Sequence, residues 1–404
     1  MNGDLAGQTR ELFSEYVMPT YAPLLVFERG EGAYLYDTEK RRYLDFACGI
    51  SVCNLGHCHP KVTAAICEQA GKLVHVSNLY MNTMMPKLAA KLVSFGFDGK
   101  VFFCNSGAEA NEGMIKLARK WGNPQGKNRI VCMEDSFHGR TLATLAATGR
   151  AKYRKGFEPD VPGFSFVPFN DFDALKTAVG NDVCAVLLEP LQGEGGIIPA
   201  DLEYLKKVRA LCDERNVLLL FDEVQCGIGR MGTLFAHQSF GVKPDAFSMA
   251  KALANGFPMG AFMVARKYAD TLTVGTHAST FGGTALAAAA ALATLGAIED
   301  EHVLDNVNKQ SEYLFAGLRR IAAPYAFVKD VRGKGLMIGV VLDVPAAGLQ
   351  KILFDYDLIT LTAGETVLRL LPPLNISREQ CDTALAAIEK GLAAFAAQRK
   401  EQEK

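Results

Sequence analysis

The sequence lacks an excess of charge of either sign. Its 404 residues include 43 Lys and Arg against 44 Asp and Glu, for a formal net charge of −1. A protein that binds a polyanion usually carries a marked basic excess, so we expect no nucleic-acid partner. The first ten residues have neither a basic head nor an apolar core, and we therefore expect no targeting signal.

Long hydrophobic runs are scarce as well. One uncharged stretch, residues 281–298, is rich in alanine and includes three glycines and two threonines. Such a stretch gains little from lipid, because alanine and glycine transfer only weakly into an apolar phase. The stretch therefore predicts a buried helix, and we expect no membrane contact.

The ten cysteines lack any C-x-x-C pair. A chain of this length does not need disulfides, which favours reduced thiols in a cytoplasmic protein. A zinc site at Gly-His-Cys-His, residues 56–59, is the alternative. Because three adjacent side chains on one strand or loop cannot converge on one ion, we expect no metal.

The middle of the chain alternates between two patterns, from about residue 60 to residue 275. Strands are predicted at residues 101–104, 129–133, 184–188 and 217–221, which are mostly apolar, and helical patterns lie at 108–121 and 201–215. Apolar strands separated by helices are typical of a mainly parallel sheet with helices on both faces. The sequence therefore predicts an α/β fold.

The C-terminal part has a different pattern. A long helix is predicted after Thr284, followed by helices at 301–322 and 377–397 and by strands at 326–331, 336–342 and 367–371. This pattern indicates a smaller α+β domain. We predict an N-terminal segment, 1–45, that packs on the small domain, a large domain, 46–285, and a small C-terminal domain, 286–404.

One helix start has the form of a phosphate cradle. Asn-Ser-Gly-Ala-Glu-Ala-Asn-Glu, residues 105–112, follows a strand and opens a helix. Ser106 and Glu109 have the spacing of a capping box. The turn leaves the N–H groups of Gly107 and Ala108 free at a helix N-terminus, where an anion can bind. An ordinary capped helix is the alternative, and the motif alone favours it.

Two polar residues follow buried runs further along the chain. Asp222 ends the apolar run 217–221, at the sheet edge where α/β proteins bind ligands. A helix cap or a structural acid is the alternative for it. Lys251 follows another apolar run, and lysines with a lowered pKa form covalent bonds to carbonyl compounds.

A competing motif lies between these two residues. Residues 227–232 match G-x-G-x-x-G, which is typical of dinucleotide-binding proteins. That motif requires a preceding strand and a following crossover helix, and neither context is met here. We therefore do not expect a nicotinamide or flavin cofactor.

The chain resembles the class III, pyridoxal-phosphate-dependent ω-aminotransferases. The resemblance rests on six motifs that occur in order: residues 105–112, Phe-His-Gly-Arg at 137–140, Glu-Pro-Leu-Gln-Gly-Glu-Gly-Gly at 189–196, Asp-Glu-Val-Gln at 222–225, Ala-Lys at 250–251 and Thr-Phe-Gly-Gly at 280–283. Further motifs at 277–283, 331–337 and 367–373 are most similar to the acetylornithine aminotransferase subgroup. The resemblance implies fold type I, with a large seven-stranded cofactor domain, and a homodimer with shared active sites.

The same resemblance implies roles in holding pyridoxal 5′-phosphate. Lys251 matches the lysine that binds the cofactor covalently, and Asp222 matches the anion that keeps the pyridine nitrogen protonated, so that the ring can accept electrons. Gln225 matches the residue that donates a hydrogen bond to the phenolic oxygen.

The resemblance also implies the surroundings of the ring and of the phosphate. Phe137 stacks on one face of the ring and Val224 covers the other. Gly107 and Ala108 hold the phosphate, which Thr280 reaches from the other subunit.

Four residues are implied to bind substrate. Arg140 matches the arginine for the carboxylate far from the reacting nitrogen, and Arg369 matches the arginine for the carboxylate beside it. Glu194 matches the carboxylate that pairs with Arg369, and it lies on a glycine-rich turn that we expect to be flexible. Ser279 is expected to touch the acylated substrate.

The function expected from the resemblance is transfer of the δ-amino group of N2-acetylornithine to 2-oxoglutarate, in arginine biosynthesis. Its partners are thus small amino and keto acids. N-succinyldiaminopimelate, ornithine and 4-aminobutyrate remain alternative donors, and an aminomutase or racemase of the same fold remains an alternative enzyme. Departures from the family pattern at Cys226, at 250–255 and at 284–285 leave the donor open.

Overall fold

A computed structural model describes residues 4–402 of the chain. These residues form a seven-stranded sheet, two four-stranded sheets and a two-stranded ribbon. The strands are β1 (Phe27–Glu31), β2 (Tyr34–Asp37), β3 (Arg42–Asp45), β4 (Gly99–Cys104), β5 (Arg129–Met133), β6 (Phe164–Val167), β7 (Val183–Leu188), β8 (Leu191–Gln192), β9 (Ile198–Pro199), β10 (Leu218–Asp222), β11 (Ala246–Met249), β12 (Gly260–Ala265), β13 (Val328–Lys334), β14 (Met337–Leu342), β15 (Leu358–Ile359), β16 (Leu361–Ala363) and β17 (Val367–Leu370).

Helices surround these sheets. The α-helices are α1 (Leu5–Tyr16), α2 (Cys48–Ser51), α3 (Pro60–Ala70), α4 (Met84–Ser94), α5 (Gly107–Gly122), α6 (Leu142–Ala147), α7 (Ala151–Arg154), α8 (Phe172–Ala178), α9 (Leu202–Arg215), α10 (Ala285–Asp300), α11 (Val303–Ala322), α12 (Ala347–Asp355) and α13 (Arg378–Gln402). Short 3-10 helices lie at Asn123–Gln125, Ala236–Ser239, Lys251–Ala254 and Arg266–Tyr268.

The seven-stranded sheet has the order β4-β12-β11-β10-β7-β5-β6. All its strands are parallel except β12, which is antiparallel to both neighbours. The predicted α/β fold with a mainly parallel sheet is thus confirmed. The direction of β12 was not predicted. Only residues 250–259 join it to β11, and this is too short for the crossover that a parallel neighbour needs.

Both faces of this sheet are covered, and its central strands are mostly apolar. Every residue of β7 and of β10 is buried. Alternate residues of β10 enter different core clusters: Leu219 packs with the α9 residue Val208, and Leu218 packs with the α5 residue Met114. The carboxyl ends of β4, β5, β7, β10 and β11 therefore meet at one edge, between helices of the two faces.

One of the two four-stranded sheets joins the two ends of the chain. β3 pairs in parallel with β15, so residues 42–45 lie beside residues 358–359. β13, β14, β17 and β16 form a separate sheet in which Arg369 of β17 lies opposite Gly339. The domain boundaries after residues 45 and 285 stay predictions, and residues 1–3 and 403–404 of that division lie outside the described part.

Several element bounds differ from those predicted. The last helix continues to Gln402 instead of ending near 397, and the strand predicted at 326–331 is β13, from Val328 to Lys334. The alanine-rich stretch forms the buried helix α10, as predicted. Within residues 4–402, no helix is both long enough and apolar enough to cross a membrane.

The zinc-type pattern at 56–59 and the glycine pattern at 227–232 have structural roles instead. At residues 56–59, His57 lies 2.8 Å from Asp45 whereas His59 lies 3.2 Å from Glu301, so the two rings bind different acids.

The glycine pattern at 227–232 forms turns after β10, with no α-helix behind it. Its Arg230 is fully buried and donates to the carbonyl oxygens of Leu336 (3.0 Å) and Pro372 (2.6 Å) and to the Ser51 hydroxyl (3.0 Å). These glycines thus accommodate a buried arginine that ties distant segments together.

Candidate active site

A cavity of about 380 Å³ lies at the edge where the parallel strands end. It is lined by eight of the residues predicted from the resemblance: Gly107, Ala108, Phe137, Arg140, Asp222, Val224, Gln225 and Lys251. They come from four segments, which follow β4, β5, β10 and β11 and leave their strands at the same edge of the sheet.

The start of α5 presents unpaired backbone donors to this cavity. Neither Gly107 N–H nor Ala108 N–H donates a hydrogen bond to another group of residues 4–402. Ser106 caps the helix by accepting from Glu109 N–H at 3.2 Å, whereas the Glu109 carboxylate reaches the N–H of Asn105 rather than that of Ser106. A Cβ at Gly107 would lie 2.7 Å from Val224 Cγ1, so only glycine lets these groups pack so closely.

Asp222 ends β10 and is buried, with both carboxylate oxygens engaged. Oδ1 accepts from Val224 N–H at 3.0 Å and from the Ser248 hydroxyl at 3.3 Å. Oδ2 accepts from Asn111 Nδ2 at 2.7 Å and lies 2.8 Å from His138 Nδ1. These contacts fix the carboxylate in one orientation at the cavity wall.

Lys251 begins a 3-10 helix directly after β11, where the backbone is strained. Its φ is +45°, a left-handed conformation that non-glycine residues rarely adopt. Burial lowers the pKa of Lys251 because the ammonium is removed from water, while the carboxylate of Glu194 acts in the opposite direction. The side chain therefore reaches its neutral, nucleophilic form at lower pH than an exposed lysine does.

Arg369, Glu194 and Gln225 form a connected group beside this lysine. Arg369 Nη1 donates to Glu194 Oε1 and, at 3.0 Å, to Gln225 Oε1. The Arg369 side chain is 3% exposed and that of Glu194 is 22% exposed. Burial alone raises the pKa of Glu194, but the Arg369 guanidinium outweighs it, so the pKa of Glu194 lies below its usual value.

The turn that carries Glu194 is held in place, contrary to the flexibility expected of its glycines. Glu194 carbonyl oxygen accepts from Gly364 N–H at 3.0 Å. Arg332 donates twice to the Gly196 carbonyl, at 3.1 and 2.8 Å. The Gly193 N–H also donates to Glu189 Oε1 at 3.2 Å, so the backbone is hydrogen-bonded before, at and after Glu194.

Arg140 lies at the open side of the cavity and is exposed. Its guanidinium lies 4.1 Å from the centre of the Tyr153 ring and 5.4 Å from that of Phe137. A cation held over aromatic faces keeps its donors free for an anion. Arg140 thus lines the cavity itself, whereas Arg369 and Glu194 do not line it and act on its Lys251 through their charges.

Ser279 and Thr280 lie outside this cavity. They line a second one, of about 310 Å³, and Asn105 lines both. Ser279 Oγ accepts from Asn105 Nδ2 at 3.3 Å, and Thr280 is exposed. Within the described residues of one chain, Thr280 is therefore not brought to the Gly107 cradle.

Several residues that contact the site were given no role from the sequence. Asn111, His138 and Ser248 hold Asp222, and Glu189 accepts the N–H groups of Phe137 (3.1 Å) and Gly193 (3.2 Å). Burial raises the pKa of Glu189. Three of these four lie inside the quoted motifs, which give residue types but not contacts.

The cavity fits pyridoxal 5′-phosphate. Free N–H donors at a helix start suit a phosphate, a fixed carboxylate suits a protonated ring nitrogen, and a half-buried lysine suits the aldehyde carbon. When bound, this cofactor supplies an electron sink and a carrier for an amino group. Fold and site together define a pyridoxal-phosphate-dependent enzyme.

Comparison with known proteins narrows this class. The family described as aminotransferase class-III matches residues 16–392. The chain is 49% identical over 386 residues to the acetylornithine aminotransferase of Gloeobacter violaceus, covering 94% of this chain and 96% of that protein. The chain belongs to the class III aminotransferases, which are pyridoxal-phosphate-dependent enzymes.

Solved structures agree with this assignment. The N-acetylornithine aminotransferase of Stenotrophomonas maltophilia is 41% identical, with a TM-score of 0.83, covering 96% of this chain and 99% of that one. The ornithine aminotransferase of Toxoplasma gondii is 32% identical, with a TM-score of 0.94, covering 98% of this chain and 97% of that one. Acylated and free ornithine thus both occur in the names of similar proteins.

Proposed function

We propose that this enzyme transfers the δ-amino group of N2-acetylornithine to 2-oxoglutarate. The products are N-acetylglutamate 5-semialdehyde and glutamate, and the step belongs to arginine biosynthesis. The observation that carries the proposal is the buried Arg369–Glu194 pair beside Lys251, with Arg140 at the open side. The names of the similar proteins support the choice of donor.

The Arg369–Glu194 pair allows one site to bind two substrates that differ at the reacting carbon. Glutamate carries a carboxylate on its reacting carbon, whereas the reacting carbon of acetylornithine is a CH₂ group. Arg369 binds the glutamate carboxylate once the Glu194 side chain turns away. When acetylornithine binds, Glu194 stays on Arg369 and neutralises a buried cation that otherwise has only Gln225.

The other residues keep the roles expected from the resemblance. Lys251 would hold the cofactor covalently while no substrate is bound, and its free Nζ would move the proton of the substrate carbon once substrate is bound. Asp222 would face the ring nitrogen and Gln225 would face the phenolic oxygen. Phe137 and Val224 would enclose the ring.

The anionic groups are bound by two further sets of residues. Gly107 and Ala108 hold the phosphate with their free N–H groups. Arg140 binds the α-carboxylate of acetylornithine and the γ-carboxylate of glutamate. Ser279 contacts the acylated substrate.

The active form is a homodimer with shared sites. Support comes from large apolar side chains exposed beside Thr280: Leu79, Tyr80, Met81 (94% exposed) and Phe281. Exposed apolar patches of this kind are typical of interfaces, so a second copy that covers them brings its Thr280 to the phosphate. Sedimentation of the holoenzyme tests this, because a fully active monomer contradicts it.

The location proposed for the enzyme is the cytoplasm. The absence of paired cysteine spacing in the sequence supports this proposal. Cell fractionation with an antibody checks it, and recovery of the protein from an oxidising compartment contradicts it.

Amine-donor profiling tests the function. N2-acetylornithine, ornithine, N-succinyldiaminopimelate and 4-aminobutyrate are compared as donors, with 2-oxoglutarate as acceptor. We expect the highest kcat/KM for acetylornithine. Isomerisation of a donor without consumption of 2-oxoglutarate indicates an aminomutase instead. A higher kcat/KM for another donor means that this donor, and not acetylornithine, is the substrate.

A further inference from the structure

A third arginine near the site has no role in the reaction as described. The Arg150 side chain is only 9% exposed, and its Nε finds no hydrogen-bond partner within residues 4–402. Its nearest carboxylate is Asp135, whose Oδ1 lies 3.6 Å from that Nε and whose side chain is 67% exposed. A buried guanidinium with an unpaired donor and a distant, solvated partner is under-satisfied in this conformation.

Arg150 lies close to Arg140, with Tyr153 as their common neighbour. Its Nη1 donates to the Tyr153 hydroxyl at 3.3 Å. Both Arg140 and Arg150 approach the Tyr153 ring, with guanidinium carbons 4.1 and 5.7 Å from its centre. Arg150 is thus a neighbour of the arginine that binds the far carboxylate of the substrate.

The other side of Arg150 faces a glycine. A Cβ on Gly364 would lie 3.8 Å from Arg150 Nη2, which is ordinary van der Waals distance, so the guanidinium lies close to this glycine. Gly364 itself is bound to the Glu194 carbonyl. The charge of Arg150 also acts on the site. Burial raises the pKa of Glu194, whereas Arg369, Lys251 and Arg150 lower it.

We propose that Arg150 selects N-acylated donors by sensing the substituent on the α-nitrogen. This inference rests on the proposed function, in which Arg140 binds the α-carboxylate. In free ornithine the α-nitrogen is an ammonium group, which the Arg150 guanidinium repels. In an N2-acyl ornithine it is a neutral amide whose acyl oxygen accepts a hydrogen bond from the Arg150 guanidinium.

The charge of Arg150 predicts an order of preference among the three donors. A neutral acetyl group offers one acceptor to the guanidinium, whereas a succinyl group adds a carboxylate that pairs with it. Removing the guanidinium should therefore harm the succinyl donor most, harm the acetyl donor less, and leave or improve the use of ornithine.

The test is Arg150→Gln, with Lys152→Gln as the matched control. Lys152 carries the same charge and its Nζ lies 5.4 Å from the centre of the same Tyr153 ring, but the residue is exposed. For each holoenzyme, kcat/KM is measured with N2-succinylornithine, N2-acetylornithine and ornithine. Ratios between donors are used because they do not depend on the fraction of folded enzyme.

In Arg150→Gln we expect the acetylornithine-to-ornithine ratio to fall about tenfold or more, since a charged hydrogen bond is lost and a repulsion is relieved. In Lys152→Gln we expect a change of less than about twofold, because an exposed charge is screened. An unchanged ratio in Arg150→Gln overturns the inference, as does an equal change in both variants. If the wild-type enzyme uses none of the ornithine donors, the proposed function fails instead.

Discussion

Glu194→Gln removes the negative charge that faces Arg369 while keeping the size of the side chain. Under the proposed function, glutamate binds to Arg369 of the wild-type enzyme only after the Arg369–Glu194 pair is broken. In the variant, Arg369 stays free to bind glutamate, but it faces the CH₂ group of acetylornithine as a buried cation. The two half-reactions should therefore change in opposite directions.

The magnitude follows from the burial of the pair. Two unit charges about 4 Å apart at an effective dielectric constant of about 20 interact by about 4 kcal/mol. Because the Glu194 side chain is 22% exposed, solvent screens part of this energy, which leaves about 1.5–3 kcal/mol. Since about 1.4 kcal/mol corresponds to a factor of ten, each half-reaction should change roughly 10- to 100-fold.

Single-turnover kinetics of the two half-reactions measure this effect. We expect Glu194→Gln to raise kcat/KM for glutamate and to lower it for acetylornithine. Glu365→Gln is the control, because Glu365 is an exposed acid directly after Gly364, which binds the Glu194 turn. It makes the same change of charge without contacting Arg369.

The pH dependence gives a second check. Because the pKa of Glu194 is lowered, the pair is intact above the usual carboxyl pKa and is lost only as pH falls through the depressed value. The difference between wild type and Glu194→Gln should thus stay constant from about pH 6 to 9. Equal effects on both half-reactions refute the reasoning and leave Glu194 as an acid of the turn.

Three further predictions concern the cofactor side and the N-terminal sheet. Lys251→Ala should lose turnover and the visible absorbance of covalently bound cofactor, and wild-type turnover contradicts its role. Because burial lowers the pKa of Lys251, capture of added cofactor by apoenzyme should accelerate with a midpoint below pH 10.5. Asp222→Asn, which keeps the side-chain size, should lower kcat by several orders of magnitude, whereas a change in KM alone indicates a binding role. Burial opposes protonation of His57, but Asp45 raises the pKa of His57 from 6.5 to about 10. The His57–Asp45 pair therefore stabilises the fold fully below pH 6.5, and this stabilisation is lost as pH rises toward about 10. The loss of unfolding free energy caused by His57→Phe, measured by denaturant titration, should shrink over that interval, and a constant loss contradicts the prediction.

The sequence by itself determined the central architecture and the chemistry. The strands β5, β7 and β10 are built on apolar runs of four or more residues, and such local patterns depend only on neighbouring residues. The motif around Lys251 and the one ending in Gln225 likewise carry their residue types in fixed local spacing. These features indicated a cofactor enzyme and its family before any contact was known.

The tertiary structure alone decided which distant groups meet. Asn111 and His138 converge on Asp222 from segments 111 and 84 residues away, and Arg369 meets Glu194 across 175 residues. No local pattern encodes such pairs, because they arise from how the strands order in the sheet and how the loops leave its edge. The anchored turn of Glu194 and the placement of Arg150 beside Tyr153 have the same origin: packing brings together side chains that the sequence keeps far apart.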